Sequence, residues 1–282
     1  MEIGAHVSTS GGLSKSIDRA NEIGAEAIQI FASSPRSWNI KHPSIDEIIL
    51  FKKKKEQSDI NTCFIHGSYL VNICGDPNQL DKSMESLKTT MQIAAQIGSN
   101  GVIFHCGSHK GKGFDSILRQ AANCITEVLN DSPSHINLCL ENSAGMGSHV
   151  GSSFKELGAL VKAVEHPNLK ICLDTEHCYA AGYDISNEYG MKTTMDMFEE
   201  HIGLHKLVVL HANDSKVTLG AGIDRHENIG EGHIGISGFN AIMSSNSIKS
   251  LPLLLEVPGF HGNGPDKKNI DILKTIRNAN KL

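Results

Sequence analysis

The chain is 282 residues long, 39% hydrophobic and 20% charged, with a formal charge of −5 at pH 7. These are the proportions of a soluble globular protein and exclude a disordered or fibrous chain; no apolar run approaches the roughly 20 residues that span a bilayer. The opening Met1-Glu2-Ile3-Gly4-Ala5-His6 has no basic stretch followed by an apolar core, and none of the seven cysteines forms a CxxC pair, so the expectation is an intracellular, cytoplasmic protein with reduced thiols.

A short apolar run, a turn and a helical pattern recur along the chain without a linker or break in composition, which reads as one domain over residues 1–282. Strands are predicted at 3–6, 27–31, 62–66, 101–105, 136–141, 169–174, 207–212 and 251–256. They are short and nearly all apolar, as strands buried on both faces should be. The lysines at 52–55 fall in a predicted helix and read as its solvated face. The clearest helix starts at Asp76-Pro77, an N-cap followed by proline at the first helical position. From there Leu80, Met84, Leu87, Met91 and Ala94 recur at steps of three and four until Gly98. A glycine-rich connection at 220–238 separates the last two strands; loops that long inside a compact domain are usually functional or mobile.

Eight strands alternating with helices fit an open sheet or a closed barrel. The polar residues favour the barrel. His66, His105, Glu141, Asp174 and Glu256 each end a predicted strand, and His211 stands one residue before an end. Barrel enzymes collect their chemistry at that carboxyl rim, one residue per strand, whereas an open sheet concentrates it at a switch point. The expected fold is therefore an α/β (β/α)8 TIM barrel with a metal site at the C-terminal rim of its strands.

A single histidine or aspartate at a strand end is usually a cap or a satisfied polar group. A series over six successive strands, made of the residue types that zinc or manganese selects, points to metal instead. Asp174-Thr175-Glu176-His177 adds an imidazole three residues past a strand end, and Asp224-Arg225-His226 places a carboxylate and an imidazole on one side of an extended segment. Cys106 and Cys178 neighbour these residues but point to the opposite face of an extended chain. Nine donors exceed the three that a catalytic zinc usually takes, so two or three ions fit better. Three divalent ions would also turn the net charge of −5 slightly positive, so the acidic balance does not exclude a polyanionic partner.

The chain resembles the endonuclease IV family, the tri-zinc apurinic/apyrimidinic endonucleases, over essentially its whole length. The motifs are Gly4-Ala5-His6-Val7-Ser8, His66-Gly67-Ser68-Tyr69-Leu70, His105-Cys106-Gly107-Ser108-His109 and Glu141-Asn142-Ser143-Ala144-Gly145. They continue in the run Asp174-Thr175-Glu176-His177-Cys178-Tyr179-Ala180-Ala181-Gly182-Tyr183-Asp184 and in His211-Ala212-Asn213-Asp214-Ser215-Lys216. Asp224-Arg225-His226, Gly230-Glu231-Gly232 and Leu254-Leu255-Glu256 complete the set. The resemblance implies three Zn2+ per chain, with Mn2+ as an alternative at one position. His66 and His105 would hold one ion that shares Glu141 with a second; Asp174, His211 and Glu256 would complete the second; His177, Asp224 and His226 would hold the third. Members usually carry proline after the second histidine and threonine after the last glutamate, where this chain has Cys106 and Val257.

The activity implied is hydrolysis of the DNA phosphodiester 5′ to an abasic site in base excision repair, by a multi-zinc hydroxide mechanism. It leaves a 3′-hydroxyl and a 5′-deoxyribose phosphate, and a 3′-phosphodiesterase side activity is expected. Glu141 and Glu256 would be the catalytic ligands, the latter orienting the nucleophile. The resemblance implies that Arg36, Tyr69 and Leu70 contact double-stranded DNA as wedge residues; on their own pattern Tyr69 and Leu70 would read as caps of the core. A monomer suits a protein that must accommodate bent DNA. The enzymatic rival is a xylose-isomerase-like sugar isomerase or epimerase, which Glu141, Asp174, His211 and Glu256 alone would satisfy. A metal-binding protein without turnover is the rival from another class.

Overall fold

Strands that are apolar on both faces must be covered on both. A computed structural model, which describes residues 1–280, shows how this chain covers them; positions 281 and 282 of the domain read over 1–282 lie outside the described residues. The strands in chain order are β1 (Ile3–His6), β2 (Ala27–Phe31), β3 (Thr62–His66), β4 (Gly101–Phe104), β5 (Asn137–Glu141), β6 (Leu169–Asp174), β7 (Leu207–His211), β8 (Asp214–Ser215), β9 (His226–Glu227) and β10 (Leu253–Leu255). All but β8 and β9 pair in parallel in the closed order β1-β10-β7-β6-β5-β4-β3-β2. The predicted (β/α)8 barrel is the observed architecture.

Three strand ends differ from the sequence reading. His105 and Glu256 lie one residue beyond β4 and β10, and His211 is the last residue of β7. At Glu256 the backbone N–H leaves the ladder and donates to Asn213 Oδ1 at 2.7 Å. β10 also starts late, at Leu253, because Pro252 has no N–H to contribute. The connection at 220–238 is not structureless. It contains β9, which pairs antiparallel with β8, and the start of α8 (Gly235–Ser244).

The outer ring comprises α1 (Ser14–Ile23), α2 (Ile45–Glu56), α3 (Pro77–Ile97), α4 (Phe114–Asn130), α5 (Phe154–Val164), α7 (Glu188–His201), α8 and α9 (Lys267–Ala279), with the short α6 (Thr175–Ala180) at the rim. α3 has the predicted start and stop, and Gly98 ends it at φ 70°, where a side chain would be strained. The Asp76 side chain makes no capping bond; its carboxylate instead pairs with Lys112 at 2.9 Å and Lys110 at 3.4 Å. Lys52 and Lys53 of α2 are exposed as expected, whereas Lys54 reaches Asp18 at 2.6 Å.

Inside the barrel, Ala27, Phe64, Ile103, Cys139, Cys172, Val209 and Leu254 form one buried apolar layer, a residue from each of seven strands. The eighth strand, β1, contributes Gly4, paired in register with Ala27 and Leu254. Side chains two residues apart share a face of a strand. The next layer toward the rim is therefore set by arithmetic: His6, Gln29, His66, His105, Glu141, Asp174, His211 and Glu256. An apolar floor carries a ring of eight polar side chains.

Candidate metal centre

The ring brings its carboxylates and imidazoles to short range. Glu141 is fully buried at its middle. Its Oε2 lies 3.1 Å from His66 Nε2 and 3.2 Å from His105 Nε2, while its Oε1 lies 2.8 Å from His211 Nδ1. His211 Nδ1 also faces Glu256 Oε2 at 3.3 Å and Asp174 Oδ2 at 3.7 Å. One carboxylate thus stands between two donor groups, His66–His105–Glu141 and Glu141–Asp174–His211–Glu256, each with its ligand atoms within 4.8 Å of one another.

The third group is built by two local devices. Asp174 is the N-cap of α6 and its Oδ1 accepts the backbone N–H of His177 at 2.9 Å, which fixes the spacing of three between them. The β8–β9 ribbon pairs His226 with Ser215. The connection beyond is folded back by the buried Asp214 carboxylate, which accepts backbone N–H groups of Gly230, Gly232, Ile234 and Gly235 at 2.9–3.2 Å. Asp224 then reaches both imidazoles, 3.4 Å from His177 Nε2 and 3.4 Å from His226 Nε2. All nine donors singled out in the sequence meet in one centre.

At His66 and His177 the second ring nitrogen is committed to a backbone carbonyl, as in metal-ligating histidines. His66 Nδ1 donates to the Gly67 carbonyl at 2.8 Å, and His177 Nδ1 to the Asn142 carbonyl at 3.0 Å. Burial pulls these imidazoles toward neutrality, but at His66 and His177 the carboxylates outweigh it and raise the pKa, and at His211 Cys172 does so together with Glu141 and Glu256. At His105 burial wins and the pKa falls to about 4. Burial also opposes ionisation of Glu141 and Glu256, yet the surrounding imidazoles hold both well below the usual carboxylate range. Asp224 is likewise drawn down, against burial, to about 2 by His177 and His226.

Two buried atoms test whether cations fit. Among the described residues, His226 Nε2 and Glu176 Oε2 have no hydrogen-bond partner. An unpaired buried polar atom costs about 1–3 kcal/mol, and a cation beside them would offset that cost. The donors are imidazoles and carboxylates without a thiolate, a set suited to zinc or manganese. All seven cysteines are free and buried, and Cys106 is inaccessible.

Sequence reasoning missed four residues here. Glu176 is buried and a carboxylate oxygen lies within 4.8 Å of donor atoms of Asp174, His177 and His226; burial and the Asp174 charge raise its pKa to about 7. Asn213 clamps two ligands, donating to Asp174 Oδ2 at 2.7 Å and accepting from Glu256 N. His6 and Gln29 complete the ring of eight, and the offset of two from the apolar layer would have found both.

The centre opens into a groove of about 990 Å3 lined by His6, Tyr69, His105, Asp224, Lys41 and His42 among others. A pocket of about 250 Å3 beside it adds Val71, Ala144, Met146 and Val150. Tyr69 is 60% exposed and lines both, with its ring edge on Phe31 at 5.3 Å. Arg36 is exposed on the adjoining loop, which is tied to Tyr69 through Tyr69 N and Pro35 O at 3.0 Å. Arg36 and the half-buried Leu70 line neither cavity.

Residues 17–277 match the family described as a xylose isomerase-like TIM barrel. A protein of Halothermothrix orenii named "Probable endonuclease 4" is 38% identical over 97% of this chain and 99% of its own length. The crystal structure of endonuclease IV from Thermus thermophilus superposes with a TM-score of 0.88 at 31% identity, covering 99% of this chain and all of that one. A D-tagatose 3-epimerase-like protein superposes with a TM-score of 0.77 at 19% identity, a likeness of fold alone.

Proposed function

Because the chain belongs to the endonuclease IV family, we propose that it is a zinc-dependent DNA-repair nuclease that hydrolyses the phosphodiester 5′ to an abasic site. The products of that reaction are a 3′-hydroxyl and a 5′-deoxyribose phosphate, and the same chemistry would remove blocked 3′ ends. The observation that carries the reading is the convergence of nine donors on three adjacent groups at the floor of one groove. The four residues Glu141, Asp174, His211 and Glu256 would suffice for a sugar isomerase; the surplus of His66, His105, His177, Asp224 and His226 favours the nuclease.

His66, His105 and Glu141 would hold one ion, Glu141, Asp174, His211 and Glu256 a second, and His177, Asp224 and His226 a third. Zinc bound there supplies Lewis acidity, activating water near neutral pH and neutralising phosphate charge. Glu141 turns one oxygen toward each neighbouring group and would serve both. Glu256 is the catalytic carboxylate at the groove floor, and Asn213 and Gln29 hold it in place. His66 and His105 each turn Nε2 toward Glu141, where an ion would be held. Tyr69, with Arg36 and Leu70 on the adjoining loops, would occupy the gap left by a missing base, where unstacking costs least.

The test is a labelled duplex with one abasic analogue resistant to β-elimination, beside an undamaged control, with zinc counted in the same sample. Cutting on the 5′ side of the lesion with a 3′-hydroxyl end and two to three zincs is the expected result. Fully metallated protein that leaves the duplex intact would overturn the nuclease and direct attention to sugar phosphates.

A further inference from the structure

We propose that Gln29 is a positioning residue of the central cation site, locking His211 and Glu256 in the orientation that presents both to one ion. The inference rests on the metal reading of the centre. Gln29 is completely buried, the one polar side chain in the strand Ala27-Ile28-Gln29-Ile30-Phe31. Its carboxamide is fully committed: Nε2 lies 2.5 Å from Glu256 Oε1 and 2.9 Å from His6 Nδ1, and Oε1 lies 2.7 Å from His211 Nε2.

The ionised carboxylate of Glu256 only accepts, so the amide nitrogen must face it. The amide oxygen must then face His211, and since it too only accepts, His211 carries its proton on Nε2. With Nε2 committed to the amide oxygen, Nδ1 is the nitrogen left facing Glu141, Glu256 and Asp174, the other members of the four-residue group, and a cation bound there would take the place of its proton. A single amide therefore sets the tautomer of one donor and the rotation of another. Its second N–H meets His6 Nδ1, whose ring is itself held 4.4 Å from Phe31. Turned over, the amide would set its oxygen against the Glu256 carboxylate oxygen, two acceptors without a proton between them, so one orientation is fixed.

Outer partners of this kind are worth about 10–100-fold in metal affinity. The experiment compares the wild type with Gln29→Leu and Gln29→Met, which fill the same space without hydrogen bonds. Phe51→Leu serves as a control that loosens the core away from the centre. Zinc affinity is read by chelator competition, and the visible spectrum of the cobalt-substituted protein reports donor geometry. One equivalent in the Gln29 variants should bind about 10–100-fold more weakly, with an altered cobalt spectrum, while the other equivalents and those of Phe51→Leu stay as in the wild type. Wild-type affinity and spectrum in either Gln29 variant, or an equal loss in Phe51→Leu, would overturn the assignment. A wild type that takes up no zinc would instead sink the metal reading beneath it. Should Gln29→Leu fail to fold, Gln29→Met decides alone.

Discussion

Glu141 is the residue on which two donor groups depend, since its two oxygens face different imidazoles. Glu141→Ala should lower cleavage of the abasic duplex by roughly a thousandfold or more and release at least about one zinc equivalent; near-normal turnover would contradict a shared carboxylate. Tyr69 is half packed on Phe31 and His66 and otherwise exposed, so its removal should spare the fold. Tyr69→Ala should weaken binding to abasic duplex about tenfold, equivalent to roughly 1–2 kcal/mol of lost stacking, with an unchanged thermal midpoint; unaltered affinity in a titration would remove Tyr69 from the DNA contacts. Six of the nine donors were legible because each is a charged or imidazole side chain at the end of an apolar run; His177, Asp224 and His226 were legible as short carboxylate–imidazole spacings beside or between those runs. Gln29 and His6 were not, because a lone amide in a buried strand and a histidine near the amino terminus carry no metal signature of their own. Glu176 was hidden for a different reason: its burial depends on the ribbon that folds over it, with Ser215 Oγ and Arg225 N donating to its Oε1.

At the scale of elements, the eight barrel strands were readable from short apolar runs, and their ends only to within a residue or two. Ends depend on which backbone groups find a ladder partner, as at Asn213 and Pro252, and no local pattern announces that. The β8–β9 ribbon escaped because two-residue strands are too short to show a period. The Asp76 cap failed in detail because two lysines compete for its carboxylate. Closure of the barrel has a sharper requirement. A Cβ on Gly4 would stand 1.9 Å from the carbonyl oxygen of Ala27, a backbone atom that cannot move aside without breaking the β1–β2 register. Gly4→Ala should therefore cost at least about 3 kcal/mol, the upper range for an overpacked core. Its denaturation midpoint in urea measures this, and a wild-type value would show that the seam can open.

For the molecule as a whole, the two ends of the chain are joined by a charge pair at that same seam. Arg277 of α9 contacts Glu26 at 2.5 and 3.0 Å and the Met1 carbonyl at 2.9 Å. Burial favours the neutral acid at Glu26, but Arg277, the Ile3 N–H and Lys274 prevail and bring its pKa from 4.5 to about 2. The folded state thus prefers the ionised form. Its contribution, about 1–3 kcal/mol, is present above pH 4.5 and fades as pH falls toward 2. Glu26→Gln should be less stable than the wild type at pH 7, and the gap should close across that window in thermal unfolding of chelator-treated protein. A gap independent of pH would show that packing, not charge, holds the seam.

The apolar layer beneath the ring has one more consequence, for traffic. Phe64, Ile103, Leu254 and their neighbours stopper the barrel below the ring of candidate ligands, and Glu141, Asp174 and His211 are wholly inaccessible from outside, while His105 and Asp224 stand partly open on the groove side. Ions would have to come and go through the same mouth that is proposed to take the duplex. A bound duplex would then act as a cork, so that a chelator strips the enzyme quickly when it is idle and slowly while it is holding damaged DNA.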